Sequence, residues 1–495
     1  LSTSSPPVES QHVIPASGYG TLEAPWLGWE AQLERRTDGS SPKTLILSPG
    51  FWGVSRPIRV RGELKIVNDA KEEGQAWLLP SISESEAPLE TIFLIDGMHR
   101  LTIQGICFNG RRLRARSGIV LRCGTRIVLD KCRFGDFGDS KGAALRIAGE
   151  SEERFAREIV IQGCRFQNAA RGVWLGRNAT DLMLHENRFE EISGCSLLVD
   201  PQDTWTEYGL IFVRNRIRSS FPQRENPHVR ILPGAEGIRL AENTFDGNET
   251  APRNDIMEPI PALEIRGGGP MSRRRLEVML NHIVGSSGPG IAARQCGPGF
   301  LAAGNHLSSC GNQGSAAMDL QACHGVLVED NEISELEACG IRVRDCANAR
   351  INGNEIIGTQ EAKTPRRGSA GLLFEGEGCR RLRITDNRIR SMREEGIRIA
   401  SGRSLRVTGN EIEDCGVGIR IAEARQLVLV GNDCRDNTGG GIRIDPSVRR
   451  GYVALNYAIL NGPVDLDVHG TRVRCRSNKV DRRGTFEESG SRIPA

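Results

Sequence analysis

The stretch "SLRVTGNEIEDCGVGIRIAE" (404–423) is followed, 22 residues on, by "QLVLVGNDCRDNTGGGIRID" (426–445). Each reads L-x-V or L-x-L, two residues, Asn, a short apolar step, a variable turn, and then G-I-x-I. The Asn recurs at Asn187, Asn215, Asn243, Asn281, Asn305, Asn331, Asn354, Asn387, Asn410, Asn432, Asn456 and Asn478, mostly at gaps of 22 to 28 residues with two longer gaps of 38 and 33. Upstream, Ile106, Cys132 and Cys164 take the same slot in "LTIQGICF", "IVLDKCRF" and "IVIQGCRF". About fifteen copies of one supersecondary unit imply a solenoid.

L-x-L-x-x-N also belongs to leucine-rich repeats, which carry a further Leu eight residues before the Asn and a helical return segment. Here that position holds Cys323, Cys346, Cys379, Gly402 or Ala424, and the return segment is "GIRV" (340–343) or "GIRI" (396–399, 418–421, 441–444). Apolar–polar alternation with β-branched residues is a strand period. Each coil is therefore expected to be strands and turns: an all-β, right-handed, single-stranded parallel β-helix. Stacked coils lie about 4.8 Å apart, so the Asn side chains should form a hydrogen-bonded ladder. The Ile pairs should point inward, the x residues outward, and the Gly should permit a bend before each strand.

On these N-x-I and G-I-x-I units, and on the entry "TLILSPGFWGVSRPIRV" (44–60), the chain resembles the right-handed parallel β-helix, pectin-lyase-like superfamily over roughly residues 40–480. The resemblance implies the fold. It is nearly silent on activity, because that fold hosts lyases, hydrolases, epimerases and non-enzymatic modules.

Net charge is +3, from 65 basic and 62 acidic residues, and all but seven of the basic ones are Arg. Balanced charge and aromatics not interleaved with basic residues speak against nucleic acid as a partner. No run of about 18 apolar residues exists, so no transmembrane helix is expected. The chain opens "LSTSSPPVES" without a hydrophobic leader, which leaves room for a removed targeting peptide. The 14 Cys lack C-x-x-C spacing and sit at recurrent repeat positions. They read as buried free thiols, with inter-coil disulfides the alternative, and lean toward a reducing intracellular or organellar compartment.

The expected organisation is an N-terminal arm and capping helix (1–40, with "APWLGWEAQLERR" at 24–36), entry coils (41–98), regular coils (99–480) and a polar tail (481–495). Insertions interrupt the coils at 200–209, 218–228, 246–261 and 358–369. Solenoid insertions commonly build the functional face. Those at 218–228 and 246–261 precede the second strand of successive coils and are expected side by side.

Two functions fit. One is a non-catalytic β-helix scaffold within a larger assembly, held to other protein subunits through its terminal arms and through an outward row of Arg342, Arg398, Arg420 and Arg443. The alternative is a lyase, epimerase or glycoside hydrolase acting on an acidic polysaccharide. Elimination needs a cation to neutralise a carboxylate and a base at the α-carbon, whereas hydrolysis needs two facing carboxylates. Asp246, Asp255, Glu258 and Glu264 are candidates for the carboxylates, and Arg230 and His228 for the neutraliser and base. No metal or other cofactor is expected, calcium entering only with the enzyme alternative. The chain lacks the D-P-H-D, G-H-G and R-I-K signatures of enzymatic relatives. It also has no Trp after residue 240 to build sugar platforms.

Overall fold

The computed structural model describes residues 11–14, 43–68, 74–81, 87–202, 206–218, 226–247, 259–267, 275–311, 315–336, 338–359, 370–481 and 487–488. Among these there is no helix: the elements are short strands joined by turns, wound as parallel β-solenoid of about 14 turns over two compact units, residues 1–238 and 239–495. The expected helix at 24–36, and most of the four insertions, lie outside the described residues.

In the second unit each coil carries three strands, as in Glu395–Ile399, Arg403–Thr408 and Glu411–Glu413. Each pairs in parallel with its counterpart in the next coil, in registers such as Ile397↔Ile419, Val407↔Leu429 and Ile412↔Cys434. Identical side chains therefore stack, and Ile397, Ile399, Ile419, Ile421, Ile442 and Ile444 are all fully buried. From Asn243 through Asn281, Asn305, Asn331, Asn354, Asn387, Asn410, Asn432 and Asn456 to Asn478, each amide group donates to the Oδ1 of the next Asn at 2.8–3.0 Å. Asn410 Nδ2 also donates to the Ile384 carbonyl at 3.1 Å, so a buried amide finds its partners.

The turn entering this ladder is made by the residue before the Asn, which has positive φ in coil after coil: Asp330, Gly353, Asp386, Gly409, Gly431, Leu455. The glycine of G-I-x-I does something else. Gly340, Gly371, Gly396 and Gly418 are not in the left-handed region. A Cβ on Gly396 would lie 2.3 Å from Ile412 Cγ2, and one on Gly371 2.4 Å from Ile389 Cγ2. The expected bend is thus corrected to a packing need: the strand backbone presses on the branched side chain of the third strand, and only hydrogen fits.

The first unit is built the same way with longer strands, Leu89–Gln104 and Ala115–Asp130. Its third-strand position holds Phe108, Phe134, Phe166 and Phe189, stacked at centroid separations of 5.0, 4.9 and 4.8 Å. Cys164 occupies the ladder slot as expected, its amide donating to Asn187 Oδ1 at 2.9 Å, and Asn187 in turn donates to Asn215. Pairing also begins earlier than the expected arm boundary: Gln11–Ile14 lies parallel to 44–47. In the second unit Glu487–Glu488 pairs with 467–468, so part of the polar tail joins a ladder.

Candidate functional site

The outward x of I-x-I stacks as a row in the second unit: Glu264, Ala292, Asp319, Arg342, Leu373, Arg398, Arg420, Arg443 and Asp467, each opposite the next. Like charges directly opposite one another repel, so Arg398, Arg420 and Arg443 need compensation. Buried Glu395 lies 3.7 Å from Arg398 and 3.6 Å from Arg420. Asp445 lies 3.2 Å from Arg420 and 3.1 Å from Arg443. Arg342 faces Asp319 at 3.6 Å, and Arg344 reaches the same carboxylate at 3.5 Å. The four arginines singled out in the sequence are thus each interleaved with a carboxylate.

Glu264 stands on this row but is buried, 5% exposed, and the Arg266 guanidinium donates to its Oε1 at 2.8 and 2.6 Å. Two coils on, Asp319 stands on the same row with only Ala292 between, so the two backbone positions are about 9.6 Å apart along the row. Asp246 is elsewhere: it ends Thr244–Asp246 in the third-strand sheet, in register with Val284. Asp255 and Glu258 lie outside the described residues, as do Arg224, Glu225, Glu249 and Arg253.

His228 and Arg230 belong to the first unit. His228 is buried, 2% exposed, and its backbone carbonyl accepts from Leu197 N at 3.1 Å, which places it within the fold and off the outward row. Arg230 faces outward and donates to Asn226 Oδ1 at 3.2 Å. Its row runs Val120, Arg146, Trp174, Leu198, Arg230. The guanidiniums of Arg146 and Arg171 lie 4.5 and 5.3 Å from the Trp174 ring centroid, a half-buried aromatic flanked by two cations. The sequence signal for Trp174 was present: "GVWL" (172–175) is the G-I-x-I unit with Trp at x.

None of the 14 cysteines is disulfide-bonded, and twelve are buried. Burial pushes the thiols of Cys310, Cys339 and Cys415 up to about 12. Cys323 also rises to about 12, through its contact with the Cys296 thiol above all, within a turn column in which Cys323 N donates to Cys346 Sγ at 3.3 Å.

Residues 92–258 match the family model described as a right handed beta helix region. Together with the parallel ladders already described, the match bears on the fold. The chain folds as a right-handed parallel β-helix. Residues 281–438 and 362–466 of this β-helix also match the model described as periplasmic copper-binding protein (NosD). The described residues there do not assemble a copper centre. Among the described residues no group of three or more His, Cys, Asp or Glu converges, and the buried thiols resist forming the thiolate that binds metal. His306 is engaged too, stacked on His282 at 4.8 Å and 3.1 Å from Glu332.

No curated protein matches the chain. Solved structures similar to it include a Geobacillus virus E2 protein, ORF18 (11% identity, TM-score 0.32, covering 70% of this chain). This β-helix spans 53% of that protein's length. The A-module of an Azotobacter vinelandii mannuronan C-5 epimerase is 10% identical, with TM-score 0.35 and 94% and 98% of the two chains covered. A PL6 alginate lyase complexed with a trisaccharide is 10% identical, with TM-score 0.33 and 95% and 86% covered. None of the three bears on the activity of this chain.

Proposed function

We propose that this β-helix is a non-catalytic interaction element within a larger assembly. The observation that carries the reading is the charge compensation of the outward row. General acid–base catalysis needs a carboxylate or imidazole free to gain and lose a proton. Here Glu264, Asp319, Glu395 and Asp445 are each held by one or two guanidiniums, and His228 is packed inside. A network of fixed ion pairs on a stiff sheet suits recognition, where order before binding lowers the entropic cost.

The proposed partner surface is the row of Arg398, Arg420 and Arg443. An acidic protein segment laid along it would replace Glu395 and Asp445 as the counter-charge. Reversing the three arginines to Glu tests this with tagged protein recovered from its source. The wild type should retain a partner and the folded triple variant should lose it. Equal recovery by both would remove this face from consideration.

One observation favours the enzyme alternative: Glu264 and Asp319 stand on one row, two coils apart, and hydrolysis needs two facing carboxylates. Their guanidinium partners would have to move aside for either to act as acid or base.

A further inference from the structure

The second strands of five coils in the second unit, with the residues that lead into them, read "CRRLRIT" (379–385), "GRSLRVT" (402–408), "ARQLVLV" (424–430), "VRRGYVA" (448–454) and "GTRVRCR" (470–476). They hold eleven Arg and neither Asp nor Glu, in a chain whose acids and bases nearly balance. Elsewhere in the unit outward arginines are neutralised: Arg388 lies 3.2 Å from Glu411, Arg390 3.0 Å from Glu355, and Arg420 3.2 Å from Asp445. Among the described residues, none of the eleven pairs with a carboxylate. Like charges in register repel unless an anion is brought to them.

The charge extends in two directions. Across the coils, register sets Arg380, Arg403, Arg425 and Arg449 opposite one another. Along the strands, further outward positions carry Arg383, Arg406, Arg474 and Arg476. At about 4.8 Å per coil and 3.3 Å per residue, the face measures roughly 19 by 16 Å.

Within it stands an apolar island. Val428 and Val430 are half-buried, Tyr452 is 42% exposed, and Leu455, just after the strand, is 64% exposed. Register puts Arg406 one coil before Val428, and Arg474 and Arg476 one coil after Tyr452 and Ala454. Arg425 and Arg449 open the same two strands. The island is therefore ringed by cations. A notch of about 470 Å³ between the Arg403–Arg425–Arg449 column and Arg450 and Arg472 gives room for a phosphate headgroup.

This combination selects among anions. A soluble linear polyanion touches a line and gains nothing from Tyr452 and Leu455. A folded protein would need acids of one sign around the whole ring. An anionic lipid leaflet supplies negative charge over an area, with an apolar phase just beneath it. We infer that this face docks on the surface of an anionic lipid membrane, its arginines among the phosphates and its exposed Tyr and Leu at the headgroup–acyl boundary. Guanidinium forks match phosphate oxygens, and Tyr favours the depth at which one end is wet and the other apolar. The inference is independent of the acidic protein partner proposed above, whose arginine row lies on another strand of the coil.

Flotation of the full chain with vesicles tests it, using phosphatidylcholine alone and an equal mixture of phosphatidylcholine and phosphatidylglycerol, at low and high salt. Soluble polyphosphate is the comparison ligand, phosphate without an apolar phase. Arg403→Thr, Arg425→Thr and Arg449→Thr form the charge variant, since Thr471 fills that slot in the next coil. Tyr452→Ser with Leu455→Ser forms the apolar variant; Ser477 takes the slot of Leu455 one coil on, again with positive φ. Should one misfold, the other keeps the test decisive. The control variant carries Arg388→Ser and Arg390→Ser, which remove paired arginines.

The wild type should float with the mixed vesicles and not with phosphatidylcholine, and salt should weaken the binding. The charge variant should bind the mixed vesicles at least about tenfold more weakly. The apolar variant should bind them at least about threefold more weakly while holding polyphosphate as the wild type does. The control should match the wild type throughout. Undiminished vesicle binding by either folded variant would overturn the inference. So would a wild type that ignores the mixed vesicles at low salt, which would assign the face to a soluble polyanion or an acidic protein.

Discussion

Asn410 shows how one residue type specifies the winding. Its amide nitrogen donates to Asn432 Oδ1 at 2.8 Å and to the Ile384 carbonyl at 3.1 Å, while its own Oδ1 accepts from Asn387. Replacing it by Ala strands buried groups on both sides, so Asn410→Ala should lower stability by about 1–3 kcal/mol. A denaturation midpoint equal to the wild type would mean that the side chain is not part of the ladder. This role was legible in the sequence because a buried amide that must satisfy itself every coil leaves a period. The glycine was legible as a signal and misread as a cause. Gly396 recurs because Ile412 occupies the space a Cβ would need, a contact between residues 16 positions apart that no local pattern contains.

At the scale of the element, strands were readable and turns were not. The I-x-I alternation fixes which side chains face in, and every Ile it assigned inward in 397–399, 419–421 and 442–444 is buried. Which outward charge meets which depends on side chains from different strands, as when Glu395 serves both Arg398 and Arg420. The same holds for the thiols that close the turns. Cys310 and Cys415 follow third strands, and burial raises each to about 12 from an ordinary 9.0. Below about pH 9 the thiol is protonated folded or unfolded, and it adds no pH dependence. Between about 9 and 12 the unfolded chain releases a proton that the fold retains, so stability should fall as pH rises through that window. In Cys310→Ala the fall in urea midpoint between about pH 8.5 and 11 should be shallower than in the wild type. An identical slope would show that this thiol ionises freely in the native state.

At the scale of the whole molecule, repetition tells fold and hides function. Twelve Asn at near-regular gaps were enough for the solenoid, because stacking makes every coil repeat the same physical solution. Sites arise where coils differ, and a single difference such as Trp174 carries no period. Of the residues proposed for chemistry, Arg230 lies outward, Glu264 stands on the outward row but is buried, His228 is buried, and Asp246 stands in a different sheet from Glu264. That arrangement supports the proposed role, a β-helix that binds without catalysis. The most direct measurement is turnover of a panel of uronate and neutral glycans, with and without calcium, by the wild type and by the double variant Glu264→Gln, Asp319→Asn. Both proteins should show the same background. Turnover by the wild type that disappears in a double variant with an unchanged melting midpoint would contradict it.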